Sequence, residues 1–589
     1  MSENKDTKKG NKFDWQILKR LFKFIKPYRL HFYGLCLITL FTAIMAPALP
    51  LLIQRSIGEY LPVRNLEMLS LMFVLMIATL VIQAFLQFAN TYLSGWLGQS
   101  VIRDIRIQLY QHIMKLRLKF FDRTPVGRLV TRNISDIETL AEVFSQGLAA
   151  LVSEILQVVA ILVAMFIISW KLTLVSLSVL PFLLISTYIF KEKVKGSFDA
   201  VRTAVASLNT FVQERVTGMF IVQIFNAEKR ELEKFVDINN DHRQANLKSV
   251  KYYSIYFPVA EVLGAIGTGL IVWYGGRGIL EGFIADESIL ITYFLFLNMF
   301  FRPIRLIADR FNTLQMGIVS TDRIIKLLDS TDHMPDDGEV DLEEVKGEIK
   351  FENVWFAYDG DEYVLKDISL YVKPGETVAF VGATGAGKSS VINLLNRYYE
   401  IQKGTIELDG KNINDYTLTS LRENIGVVLQ DVFLFSESIR QNISLGNLEI
   451  TDEQIWEAAD RVGARKFIER LPGGLDYNVQ ERGVSLSVGQ RQLISFVRAM
   501  VYDPKIMVLD EATSSVDTET ELLIQNAIDK MLKGRTSVVI AHRLSTIQKA
   551  DKIIVLDKGE IKEMGTHSEL MNLEGFYWQL HQMQYKNVS

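Results

Sequence analysis

Long runs of apolar residues dominate the chain before residue 310, and beyond it they give way to short ones. A helix needs roughly 20 consecutive apolar residues to cross a bilayer core. Six stretches approach that length, near 31 to 54, 68 to 93, 146 to 169, 172 to 190, 254 to 275 and 288 to 304. The first carries Pro47 and Pro50 and lacks a small-residue cleavage site, so it is expected to persist as a membrane helix rather than be removed as a signal peptide.

Lys and Arg concentrate in alternate connections. Arg103, Arg106, Lys115, Arg117, Lys119, Arg123, Arg128 and Arg132 separate the second and third stretches, whereas the third and fourth are joined by little more than Trp170-Lys171. The positive-inside rule then puts both termini in the cytoplasm of a multi-pass protein of the cell membrane. Ahead of the first span, Trp15, Leu18, Leu21, Phe22 and Ile25 fall at helical spacing among lysines and arginines, the pattern of an elbow helix lying in the membrane interface. The two basic connections are long and periodic, so the spans are expected to continue as helices into the cytoplasm, each pair closed by a turn. One turn holds Phe120 to Gly127, and the other centres on Glu214 to Gly218 and runs through Phe225.

From Asp329 to Glu344 the chain has eight acidic residues and no Lys or Arg, the composition of an exposed linker. After it, β-rich runs such as Val372 to Val381, Ile506 to Leu509 and Ser537 to Ile540 alternate with helical patterns, as in an α/β domain. The expected division is a tail and elbow over 1–28, a transmembrane domain over 29–328, a linker over 329–346 and an α/β domain over 347–589. With 589 residues and a net charge of −4, the chain has room for several domains and no charge-based case for nucleic-acid binding. A single cysteine, Cys36, excludes an intrachain disulfide framework and a cysteine zinc cluster.

The chemistry starts at Gly382-Ala383-Thr384-Gly385-Ala386-Gly387-Lys388-Ser389, which follows the apolar run Val378 to Val381 and fits a phosphate-binding loop between strand and helix. Its glycines let backbone N–H groups curl around phosphate oxygens. Lys388 adds a point charge, the Ser389 hydroxyl can coordinate magnesium, and Ser390 is expected to join them in binding the nucleotide. The run Ile506-Met507-Val508-Leu509-Asp510-Glu511 is a buried strand ending in two carboxylates, with Asp510 toward the metal and Glu511 toward an attacking water. ATP and Mg2+ are the expected ligands.

In this order of motifs the chain resembles an ABC exporter half-transporter of the multidrug type: a membrane α-helical domain of six spans followed by one α/β P-loop ATPase domain. The resemblance runs from about residue 15 to the C-terminus. It implies that Tyr358 stacks on adenine, that Gln430 contacts the magnesium and the γ-phosphate side, and that His542 contacts the γ-phosphate. It further implies that Leu486-Ser487-Val488-Gly489-Gln490 is the signature that caps a second ATP, through Ser487, Gly489 and Gln490, and that Ser514-Ser515-Val516-Asp517 is the D-loop, with Asp517 at the nucleotide. The two helix tips resemble coupling helices. Because each ATP lies between one P-loop and the opposite signature, the family mechanism calls for a dimer.

One position departs from the family: the signature's third residue is usually glycine and here is Val488. The combination of an altered signature with an intact P-loop, Glu511 and His542 resembles one subunit of a heterodimer with a degenerate second site. The expected cargo is an amphipathic small molecule. A lipid or peptide exporter of the same fold, or a nucleotide-gated channel or regulator, is the alternative. Within the spans, Glu154 and Glu261 fit either a cationic cargo or interhelical hydrogen bonds. Tyr293, Phe296 and Phe300 share a helical face that suits either an amphiphile cavity or plain packing.

Overall fold

The structure is a computed structural model and describes residues 20, 23–143, 149–282, 284, 286–342, 344–510, 518–541 and 543–585. These residues form two units: one is the chain up to Met114 with Val126–Ser330, and the other is Thr331 onward together with the segment Lys115–Pro125.

The first unit is helical throughout. Among the described residues five helices are long and apolar enough to cross a membrane, and a further one, Ser288–Leu328, has its apolar part over Ser288–Phe301. The first span is broken. Helix Arg29–Met45 stops before Pro47, which cannot donate a backbone hydrogen bond, and the chain resumes as Ala48–Arg55. The second span is one helix, Leu66–Met114, of 49 residues. At 1.5 Å per residue it is about 73 Å long, far more than a bilayer core requires.

Helix Ala149–Ile168 forms the third span. The fourth comprises Trp170–Leu177 and Leu180–Thr217, and the fifth is Glu228–Leu280 with Pro258 inside it. The helices therefore run well past the apolar stretches, as the periodicity predicts. Short helices Leu118–Arg123 and Met219–Ile224 occupy the two tips. Of the interfacial elbow only Arg20 and the residues from Lys23 lie within the described residues. Arg20 makes a bidentate pair with Asp329, with both N–O distances at 2.6 Å.

Tyr293, Phe296 and Phe300 are packing residues. Each is almost fully buried in a cluster with Ile161, Met165, Leu172, Leu183 and Ile271. The Tyr293 hydroxyl donates to the carbonyl oxygens of Met165 at 2.6 Å and Ser169 at 2.7 Å. Those bonds tie the sixth span to the turn between the third and fourth, so the shared aromatic face is core and not a cavity wall. Large apolar side chains such as Phe73, Phe85 and Ile167 are instead exposed along the spans, as a lipid-facing surface requires.

The second unit holds two sheets. β2 (Leu365–Val372), β1 (Ile349–Phe356), β4 (Lys403–Leu408) and β5 (Lys411–Asn412) pair antiparallel in that order. The larger sheet runs β10 (Glu560–Gly565), β9 (Lys552–Asp557), β3 (Thr377–Val381), β8 (Thr536–Ile540), β7 (Ile506–Asp510), β6 (Ile425–Val428). All its neighbours are parallel except β10 on β9. A parallel sheet covered on both faces needs apolar residues in succession, which is why Val378–Val381 in β3, Ile506–Leu509 in β7 and Val538–Ile540 in β8 read as apolar runs. The acidic segment after Asp329 is tethered to this unit: Asp336 accepts from the Leu418 amide, Asp341 accepts from the Thr417 hydroxyl, and Leu342 is buried.

Candidate functional site

The strand order brings the chemistry together. β3 runs into residues 382–387 and then helix Lys388–Leu395, and β7 ends on Asp510 with only β8 between the two strands. Two glycines make the loop feasible. Gly387 has φ +104° at the helix start, and a Cβ there would meet Leu365 Cδ2 at 2.6 Å. A Cβ on Gly382 would run into the Leu556 carbonyl.

Lys388 is buried, and its ammonium donates to the carbonyl oxygens of Gly382 at 2.7 Å and Ala383 at 3.0 Å. Burial pushes its pKa down, and the Asp510 carboxylate opposes that shift. The amine thus already bridges the mouth of the loop, with Thr384, Gly385 and Ala386 between its partners and the helix. The Ser389 hydroxyl donates to Asp510 at 3.4 Å, so a hydroxyl and a carboxylate stand side by side at the strand ends. That donor pair fits a hard divalent cation, which takes oxygen ligands and keeps waters and phosphate oxygens for its other positions. Gln430 is exposed just beyond β6, at the edge of the same sheet.

Tyr358 is half-buried beyond β1. Its hydroxyl is hydrogen-bonded to Ser390 at 3.1 Å and accepts from Asn393 at 3.1 Å. Its ring stands edge-on to Phe356 at 4.7 Å and to Tyr399 at 5.0 Å between centroids. The ring is therefore held in one orientation beside the P-loop helix, and Ser390 is committed to that bond.

Residues that sequence reasoning missed lie next to it. The Tyr399 hydroxyl donates to Asp122, on the tip helix Leu118–Arg123, and Arg123 of that helix pairs with Asp359, the neighbour of Tyr358. At the same segment the Arg117 amide donates to the Asp332 carbonyl at 3.0 Å, and the two side chains form an ion pair. Tyr399 and Asp122 are 277 positions apart, and no local pattern links them.

Ser487 caps helix Val488–Val501 in a reciprocal capping box: the Gln490 amide donates to its hydroxyl at 3.2 Å, and its own amide donates to the Gln490 side chain at 3.0 Å. Among the described residues these polar contacts stay within that helix end. Gly489 is buried, and Val488 is 46% exposed as the first helical residue. Glu511, Asp517 with the rest of the D-loop, and His542 lie outside the described residues.

A helical membrane unit joined to a P-loop α/β unit defines a nucleotide-driven membrane transporter. The model of the ABC transporter transmembrane region matches residues 32–304, and the ABC transporter model matches residues 365–514. The chain belongs to the ABC transporter family, as an exporter half-transporter with one transmembrane region and one ATPase domain that hydrolyses ATP to drive transport.

It is 37% identical to the "Uncharacterized ABC transporter ATP-binding protein YknV" of Bacillus subtilis, over 98% of this chain and 96% of that one. It is 38% identical to the "Probable multidrug resistance ABC transporter ATP-binding/permease protein YheH" of the same organism, over 86% and 75%. It is 35% identical to the "ATP-dependent lipid A-core flippase" of Syntrophus aciditrophicus, over 97% and 95%.

Proposed function

We propose that this chain exports amphipathic small molecules across the cytoplasmic membrane, with both termini in the cytoplasm, as one half of a dimer with a non-identical half-transporter. The observation that carries the cargo reading is the polar-walled cavity within the helical unit, which holds Glu154 and is otherwise lined by hydroxyl, amide and apolar groups. The likeness to YheH supports the multidrug reading. The likeness to a lipid A-core flippase favours a second one, in which the amphiphile is a lipid.

In the nucleotide site, Lys388 and the amides of residues 382–390 hold the phosphates, and Tyr358 takes the adenine. Ser389, Asp510 and Gln430 surround magnesium, Glu511 takes the proton of the attacking water, and His542 contacts the γ-phosphate. On binding, the phosphate oxygens replace the Gly382 and Ala383 carbonyls as partners of Lys388. Ser487, Gly489, Gln490 and Asp517 serve the ATP held by the other chain. The boundaries proposed are 29–328 for the transmembrane domain, 329–346 for the linker and 347–589 for the ATPase domain. Two ATP molecules close the paired ATPase domains and turn the cavity outward, and hydrolysis resets it.

Inside-out vesicles containing this chain with its partner test the reading. A fluorescent amphiphile should accumulate with ATP and not with a non-hydrolysable analogue. Movement driven equally by both nucleotides identifies a gate instead of a pump, and movement of labelled phospholipid alone identifies the lipid reading.

A further inference from the structure

Helix Lys388–Leu395 begins at the phosphate loop, and Ser390 and Asn393, three positions apart, lie on one face of it. Both side chains reach the same atom. The Asn393 amide donates to the Tyr358 hydroxyl at 3.1 Å, and the Ser390 hydroxyl is hydrogen-bonded to it at 3.1 Å. Ser390 is buried, so its hydroxyl meets its need for a partner on the tyrosine and not on solvent.

The rest of Tyr358 is held from other segments. Gln402 closes two hydrogen bonds on the preceding residue: the Ala357 amide donates to its side-chain oxygen at 2.8 Å, and its side-chain amide donates to the Ala357 carbonyl at 3.0 Å. The rings of Phe356 and Tyr399 cross that of Tyr358 at 75° and 85°. A phenylalanine would pack there equally well. What the hydroxyl adds is a directional tie to the helix that carries the phosphate loop. A nucleoside triphosphate spans the base platform and the loop, so its affinity depends on their separation, whereas a bare triphosphate touches the loop alone. A ring already held in its bound orientation also escapes the ordering on binding that otherwise weakens affinity roughly two- to tenfold per side chain.

We infer that Ser390 and Asn393 are positioning residues for base recognition, which hold the Tyr358 ring at a fixed distance and angle from the phosphate loop and act on the nucleotide through that ring. Their contribution goes to the purine end of the ligand and is absent for a triphosphate without a base. This rests on the reading above that Tyr358 takes the adenine, and it places the Ser390 side chain with the base instead of the phosphates.

The test uses the purified full transporter, photolabelled on ice with a tracer of radioactive 8-azido-ATP and Mg2+. The label on this chain is competed by unlabelled ATP or by inorganic triphosphate. Asn393→Leu, close to asparagine in shape, should raise the ATP concentration for half displacement roughly three- to fivefold and leave that of triphosphate within about 1.5-fold. Ser390→Ala and Tyr358→Phe should act in the same sense. Combining Tyr358→Phe with Asn393→Leu should cost no more than the larger single loss, because both remove one bond.

A role confined to the stability of the helix would weaken ATP and triphosphate alike. That result, or additive losses in the double variant, overturns the inference, and Tyr358→Phe keeps the test decisive if Asn393→Leu does not fold. Tyr358→Ala separates the two readings: it should weaken ATP at least about fivefold with triphosphate unchanged. That loss beside an unaltered Asn393→Leu overturns the positioning role alone. No loss in Tyr358→Ala removes the adenine reading and the positioning role with it.

Discussion

Removing one hydroxyl from Tyr399 isolates the contact between the tip helix Leu118–Arg123 and the ATPase unit. Tyr399→Phe keeps the ring, and with it the edge-on packing on Phe356 and Tyr358, and deletes only the hydrogen bond donated to Asp122. Burial, reinforced by the Asp122 carboxylate, raises the phenol's pKa, so the donor keeps its proton at neutral pH. The contact is therefore fully formed below the ordinary tyrosine range and is lost only as the pH rises above it.

A hydrogen bond to a charged acceptor contributes roughly 1.5 to 3 kcal/mol. Asp122 is exposed and Tyr399 half-buried, so solvent screening reduces this to about 1 kcal/mol, or roughly fivefold in the opening equilibrium of the tip. The flanking pairs, Arg117 with Asp332 and Arg123 with Asp359, are partly or well exposed and add little each, so they do not mask the loss. Hydrogen exchange of the complex, followed by mass spectrometry over residues 118–123, should be about fivefold faster in the variant, and cargo-stimulated ATPase activity should fall more than basal activity. Asp122→Asn should do the same, and the double variant should be less than additive. Exchange within about 1.5-fold of wild type, or strict additivity, would refute the contact's role.

Lys388→Ala should weaken binding of a fluorescent ATP analogue by roughly tenfold or more and lower turnover with it, because the buried ammonium proposed to hold the phosphates is removed. Glu511→Gln should retain ATP, slow hydrolysis severely and accumulate the closed dimer on size exclusion; turnover within a few-fold of wild type would sink the general-base role. At the second tip, hydrogen bonds from Lys234 and Arg215 hold the Glu231 carboxyl down at about 2. A lowered folded pKa contributes stability above the free value of about 4.5 and loses it as the pH falls toward 2. Pepsin cleavage between residues 214 and 228 should therefore rise across that window in wild type and start high, without the step, in Glu231→Gln.

The spans and the phosphate loop were legible because each rests on a local pattern: apolar length for the helices, and glycine spacing between an apolar run and a helix for the loop. Periodicity says which residues share a face but not what that face meets. Tyr293, Phe296 and Phe300 turn into the core, and of two similar intramembrane glutamates one lines a cavity while the other is exposed. Contacts across long separations were illegible in principle. The Tyr399 bond to Asp122 needs the segment Lys115–Pro125 to join the second unit, a grouping set by side chains far apart in the chain. The acidic run reads as an exposed linker, but composition does not say that Asp336 and Asp341, both exposed, accept specific bonds from the helix start at Thr417 and Leu418.

Val488 bears on whether the two halves of the transporter differ. A glycine is indispensable where φ is positive or a Cβ collides, and position 488 meets neither condition: it is the first residue of a helix, capped by Ser487, and its side chain is 46% exposed. Valine there costs the fold little, so its effect falls on whatever approaches that helix end from outside. In the dimer proposed above that would be the ATP of the opposite chain, with a branched side chain between the amide of the helix start and a phosphate. Val488→Gly should thus leave the unfolding temperature within about 2 °C while raising hydrolysis at the partner's P-loop, with little change at the site containing Lys388. Trapping labelled nucleotide at each P-loop separately measures this. A stable dimer of this chain alone with full cargo-stimulated activity would show that one side chain is tolerated and that no unlike partner is required.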